Sequence, residues 1–157
     1  MAPRFNFYLA NHATTPGQLD AQLSPLLEKL VDMGKRVVVR CADEKRTARL
    51  SSLFWKEPRE GFLAHATPED GLPPEKQPVF ITHEGGNPSG AHVLLRLTGS
   101  PEDTDGFEEV IEFFSGLEAE KAAARSRWKM AQQANHHRRF FSHEDGRWQL
   151  KSEQGLS

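Results

Sequence analysis

A chain of 157 residues with 37% hydrophobic side chains is long enough for one domain with a modest core and a well-solvated surface. No apolar run approaches the roughly 18 residues of a membrane-spanning helix, the N-terminus lacks the long apolar stretch of a secretory signal, and the one cysteine excludes an intrachain disulfide framework or a Cys-rich zinc site, so a cytoplasmic protein is expected. The net charge of −2, from 20 basic and 22 acidic residues, argues against a generally basic nucleic-acid binder, but the charge is polarised: residues 101–120 carry eight acids and no base, and residues 121–143 carry six bases, three histidines and no acid.

In chain order, residues 4–10 predict a strand in which Phe5, Phe7 and Leu9 alternate with polar or small residues. Thr15 caps a predicted helix that opens on Pro16, carries Leu19, Leu23, Leu26, Leu27 and Leu30 at helical spacing, and stops at Gly34; Pro25 predicts a kink or break within it. The β-branched run 36–41 suits a strand covered on both faces. Asp43 caps the next helix, with Ala48, Leu50, Leu53 and Phe54 along it, and Pro58 ends it. A short strand is expected over 61–65, a Pro-rich and charged loop over 66–77, and strands over 79–83 and 91–97, joined by a Gly-rich stretch. Two helices are expected over about 104–115 and 117–133.

This order predicts an α/β fold: three layers, with a mostly parallel (mixed) sheet flanked by helices, and the short gap between the strands at 79–83 and 91–97 allows one antiparallel pair. The expected organisation is a single α/β domain over 1–134, closing on a basic helix, and a poorly defined tail over 135–157.

A nucleotide site would need glycines between a strand and a helix N-terminus. The stretch Gly85-Gly86-Asn87-Pro88-Ser89-Gly90 joins two strands instead, and the first strand–helix junction, 10–15, has no glycine, so the sheet is expected to be Rossmann-like without a nucleotide site. Cys41, ending a strand before Asp43 and Glu44, reads either as a nucleophile at a helix N-terminus or as a small buried residue. His12, His65, His83, His136, His137 and His143 offer candidate catalytic or metal-binding groups, but adjacent His136 and His137 would point apart on a helix, and no nucleophile motif accompanies the others. Trp55 and Phe62 flank a charged loop containing Pro58, either as a core edge or as anchors for a protein partner. On a 3.6-residue period Lys121, Arg125, Trp128 and Lys129 share one helix face, three cations around an indole, with Arg127 turned away by about 100° or more. Such a face fits an acidic peptide ending in a hydrophobic residue and a free carboxylate, or a single-stranded nucleic acid.

The ordered set FNFYLANHATT, GKRVVVRCADEKRTARLSSLFW, Trp55-x-x-Pro58-x-x-x-Phe62-x-x-His65, PVFITHEGG, VLLRL and EEVIEFF…ARSRWKMA resembles the chi-subunit family of the bacterial DNA polymerase III clamp-loader assembly, over about residues 5–133. The resemblance implies an accessory protein that is not itself an enzyme, on an α/β sheet without a nucleotide site and without cofactor or metal. It implies two partners. The acidic C-terminal tail of single-stranded-DNA-binding protein would be held by Phe114, Lys121, Arg125, Trp128 and Lys129, and the psi subunit of the clamp loader by Trp55, Pro58 and Phe62. Phe114 stands where the family usually has a smaller aliphatic residue, and Trp128 where it usually has tyrosine. The rival reading is a small nucleotide-dependent or hydrolytic enzyme using Cys41 or the histidines.

Overall fold

The computed structural model describes residues 3–56, 65–71, 73, 75, 77–144 and 146–154. Among these lie eight strands and four α-helices: β1 (Arg4–Ala10), α1 (Pro16–Ala21), α2 (Leu23–Asp32), β2 (Val37–Arg40), α3 (Glu44–Lys56), β3 (His65–Ala66), β4 (Val79–Thr82), β5 (Val93–Arg96), β6 (Glu109–Ser115), α4 (Glu118–Gln133), β7 (Arg138–Glu144) and β8 (Arg147–Gln154). The strands form one open sheet in the order β3-β4-β2-β5-β6-β1-β7-β8, parallel throughout except for the β7–β8 pair. The three-layer, mostly parallel α/β architecture expected from the sequence is the one observed. None of the described helices is long and apolar enough to cross a membrane.

The chain winds in two directions from the middle of the sheet, and this decides which face each helix covers. From β1 through α1 and α2 to β2, and from β2 through α3, it travels toward the β3 edge; from β6 through α4 to β7 it travels toward the β8 edge. Right-handed crossovers running in opposite directions place their helices on opposite faces. One face therefore packs Val37, Val39, Ile81, Leu95 and Phe113 under Leu19, Leu23, Leu27, Leu50 and Phe54 of α1–α3. The other packs Phe5, Phe7, Leu94, Val110 and Phe114 under Ala124 and Ala131 of α4 and under Ala91 and Phe107 from two irregular crossovers. Arg40, fully buried, pins those crossovers by donating to the backbone carbonyls of Gly86 at 2.8 Å, Pro101 at 3.1 Å and Asp103 at 2.6 Å.

Several caps match the sequence. Thr15 accepts from the Gln18 N–H at 3.2 Å, and Asp43 accepts from the Arg46 N–H at 2.8 Å. The break predicted around Pro25 falls at Gln22, between α1 and α2. A proline ring clashes with the carbonyl four residues earlier, here that of Ala21, where α1 ends.

Three expectations are corrected. Residues 104–115 do not form a helix: 109–115 is β6, an interior strand paired with both β1 and β5. Val110, Phe113 and Phe114 mimic helical spacing, but the strand is buried on both faces, and a short apolar run covered on both sides carries no decisive period. Strands β4 and β5 are not an antiparallel pair, because β2 lies between them and is parallel to both.

The stretch expected to be a poorly defined tail contains β7 and β8, a hairpin that extends the sheet beyond β1. In β7, Phe140 joins the α4 face while Phe141 stacks on Tyr8, 4.7 Å between ring centroids, on the opposite face. Neighbouring apolar residues serving opposite faces erase the alternation that would have marked the strand. The polarity of β8 reflects its place at the sheet edge, where Trp148 packs on Tyr8 and Phe113 while most of the strand is solvated.

Candidate functional site: a cation-rimmed groove beside the last helix

Helix α4 covers the β1–β6–β7 part of its face with small residues, Ala124 and Ala131, and with Arg127, all buried. The start of the helix is ordered by Glu120, whose carboxylate accepts the Ser115 N–H at 2.9 Å, and the chain can turn there because a Cβ on Gly116 would lie 2.9 Å from the Asn11 carbonyl oxygen. Its end is closed by Asn135 at φ 59°, with the His136 N–H on the Ala131 carbonyl and the Asn135 N–H on that of Gln132. This left-handed turn sends the chain directly into β7.

A groove of about 250 Å³ opens between α4 and the sheet. Its floor is Phe7 and Leu9 of β1, Phe114 of β6 and Phe140 of β7; its wall is Lys121, Ala124, Arg125 and Trp128 of α4. The indole of Trp128 is set edge-on against Phe7 at 5.0 Å, with the Arg138 guanidinium 5.2 Å from its ring. Phe114 and Phe140 meet edge to face at 6.4 Å. The arrangement is an apolar slot with cations at its lip, suited to one bulky hydrophobic side chain next to a negative charge.

Four of the five residues expected to hold an acidic tail, Phe114, Lys121, Arg125 and Trp128, line this groove. Lys129 is exposed, one turn beyond Arg125 and outside the groove lining. Sequence reasoning missed Phe7, Leu9 and Phe140. The alternation of Phe5, Phe7 and Leu9 puts them on one face of β1, but only the winding of the sheet places α4 over that face. Of the second set, Pro58 and Phe62 lie outside the described residues, and so does the side chain of Trp55, whose backbone is near the end of α3.

The residues of the rival enzymatic reading are dispersed. Cys41 is fully buried, its thiol 3.0 Å from the Thr47 hydroxyl, and burial pushes its pKa up, which disfavours the nucleophilic thiolate. Alkylation of Cys41 by iodoacetamide is therefore expected to be very slow in the native protein and rapid in denaturant; rapid modification of folded protein would show an accessible thiol. His65 is buried beside Phe54, with its Nε2 3.0 Å from the Ser51 hydroxyl. His136 lies against Phe5, His137 bonds Glu153 at 2.9 Å, and His143 lies against Trp148, while His12 is exposed and His83 follows β4. Among the described residues no three His, Cys, Asp or Glu side chains are grouped to hold a metal.

The fold and groove define a class: an open, mostly parallel α/β protein with an apolar groove beside one helix rather than a cleft at a Gly-rich strand–helix turn. The family described as "DNA polymerase III chi subunit, HolC" matches residues 2–139. The chain is 33% identical over 128 residues to the DNA polymerase III subunit chi of Escherichia coli K12, covering 78% of this chain and 86% of that one. It is 29% identical over 129 residues to the Pseudomonas aeruginosa PAO1 protein of the same description, covering 80% and 87%. A probable subunit chi of Rickettsia prowazekii is 32% identical over 88 residues, 56% of this chain and 52% of the relative. This chain belongs to the DNA polymerase III chi subunit family. The family match ends two residues into β7, so β8 lies beyond it.

Proposed function

We propose that the protein is a non-catalytic accessory subunit that binds the acidic C-terminal tail of single-stranded-DNA-binding protein in the α4 groove and links it, through the psi subunit, to the clamp loader in the cytoplasm. The observation that carries the reading is the groove itself: an aromatic floor of side-chain size beneath Lys121 and Arg125. A terminal hydrophobic side chain would bury its apolar area against Phe7, Phe114 and Trp128, and the terminal carboxylate would meet the cations at the lip. Lys129 would serve acids further back along the tail. The psi contact is assigned to Trp55, Pro58 and Phe62 by the family resemblance alone.

The testing experiment is calorimetric titration with a peptide copying the acidic tail, beside its C-terminally amidated form, a bare oligonucleotide and nucleotides. Binding of about micromolar strength is expected, because a disordered tail must order on docking. Amidation removes one charge-assisted contact and is expected to weaken binding by about tenfold or more. The oligonucleotide is expected to bind far more weakly than the peptide, since the net charge is −2 and the basic strip is short. Equal binding of free and amidated peptides, or displacement of the peptide by oligonucleotide, would overturn the assignment.

A further inference from the structure

We propose that Glu118 is a resident competitor for the groove: in the free protein its carboxylate holds both cations at the lip, and an acidic ligand must displace it. This inference rests on reading the groove as a carboxylate site. One Glu118 oxygen lies 3.7 Å from the Lys121 ammonium and the other 3.6 Å from the Arg125 guanidinium, so a single carboxylate spans the two lining cations as a ligand's carboxylate would. Among the described residues no other carboxylate forms an ion pair with either. Both contacts are long for charge-assisted hydrogen bonds, and Glu118 is 82% exposed, so the pairing is displaced at little cost. It is nevertheless intramolecular. A tethered carboxylate competes at a high effective concentration against a ligand arriving from dilute solution.

The consequence is a filter on ligand charge. For a ligand with one carboxylate, displacing Glu118 offsets part of the gain from its single charged contact at the lip. A ligand with several carboxylates replaces Glu118 and still has acids to offer Lys129 and the groove margin. Glu118 therefore selects polyacidic tails over singly charged hydrophobic ends. Its position in the first turn of α4 makes the test decisive, because a negative charge there also favours the helix. A purely helix-supporting role predicts that removing the charge leaves ligand affinity unchanged or lowers it; competition predicts the reverse.

The experiment compares full-length wild type with Glu118→Gln. The probes are a peptide with several acids and a C-terminal phenylalanine carboxylate, and a second peptide whose only anion is that terminal carboxylate. Glu118→Gln is expected to bind tighter by roughly three- to tenfold at low salt, from the loss of two exposed pairs. The gain should be larger for the singly charged peptide, should shrink as salt rises, and should largely vanish in an Arg125→Ala background. Wild type that binds the polyacidic peptide while Glu118→Gln binds no tighter would overturn the competitor role and leave the groove reading standing. Wild type that fails to bind either peptide would overturn both.

Discussion

Replacing Glu112 by alanine is expected to destabilise the fold by about 3–5 kcal/mol, the range for breaking a buried ion pair from one side. Glu112 is 2% exposed on β6, beneath α4. Its carboxylate accepts from the Arg96 Nε of β5 at 2.6 Å and from the Arg127 guanidinium of α4 at 2.5 Å. Both arginines are themselves about 95% buried. They also reach Glu102, but that side chain is 57% exposed and stands at the margin. Without Glu112 two guanidinium groups would face each other in a dry site with only solvent-screened compensation.

Urea unfolding should show a lower midpoint with an unchanged slope, and the melting temperature should fall by roughly 10 °C or more. A loss below about 1 kcal/mol would mean that water reaches the site. Replacing Arg96, Glu112 and Arg127 together by apolar residues of similar volume is expected to be close to neutral, since the desolvation cost of all three charges disappears with their attraction. The network also serves the groove. Arg127 ties α4 to β6 through Glu112 and to the preceding crossover through the Ser100 carbonyl at 2.6 Å, which fixes the height at which Lys121, Arg125 and Trp128 stand above the aromatic floor.

Arg125→Ala is expected to raise the dissociation constant of the acidic tail peptide by about 10- to 150-fold, which is about 1.5–3 kcal/mol for a hydrogen bond to a charged group. The fold should be unaffected, because the Arg125 side chain is 64% exposed and its ion pair with Glu118 is loose. A guanidinium can grip a terminal carboxylate through two parallel hydrogen bonds, so Arg125→Lys should recover only part of the loss. Binding by wild type should weaken with rising salt, since the lip is open to water. Peptide amidation and Arg125→Ala remove two halves of one contact, so their losses should not add. Additive losses, or an unchanged affinity for Arg125→Ala, would place the carboxylate elsewhere.

The two predictions differ in how far the sequence anticipated them. Arg125 was legible because Lys121, Arg125 and Trp128 lie four and seven residues apart on one helix, and helical geometry alone brings them to one side. The same geometry separated Arg127 from that face, but nothing local showed that it would be buried on a glutamate. Its partner lies 15 residues away, within a stretch whose strand character was itself hidden. The β7–β8 hairpin was lost for a related reason: each of its residues answers to a different neighbour across the sheet, and the chain carries no simple period where the environments on the two faces change along a strand.

By itself, then, the sequence determined what depends on local geometry. The short apolar runs of β2, β4 and β5, the caps at Thr15 and Asp43, the break near Pro25 and the basic face of α4 all follow from propensities and short spacings. Only the tertiary structure decided the strand order, and with it what lies beneath α4. Because the chain reverses its winding direction between β1 and β6, the right-handed crossover sets α4 apart from the other helices. On that face it leaves a groove beside it, lined by Phe7, Leu9, Phe114 and Phe140, and brings Arg127 onto Glu112 as an anchor.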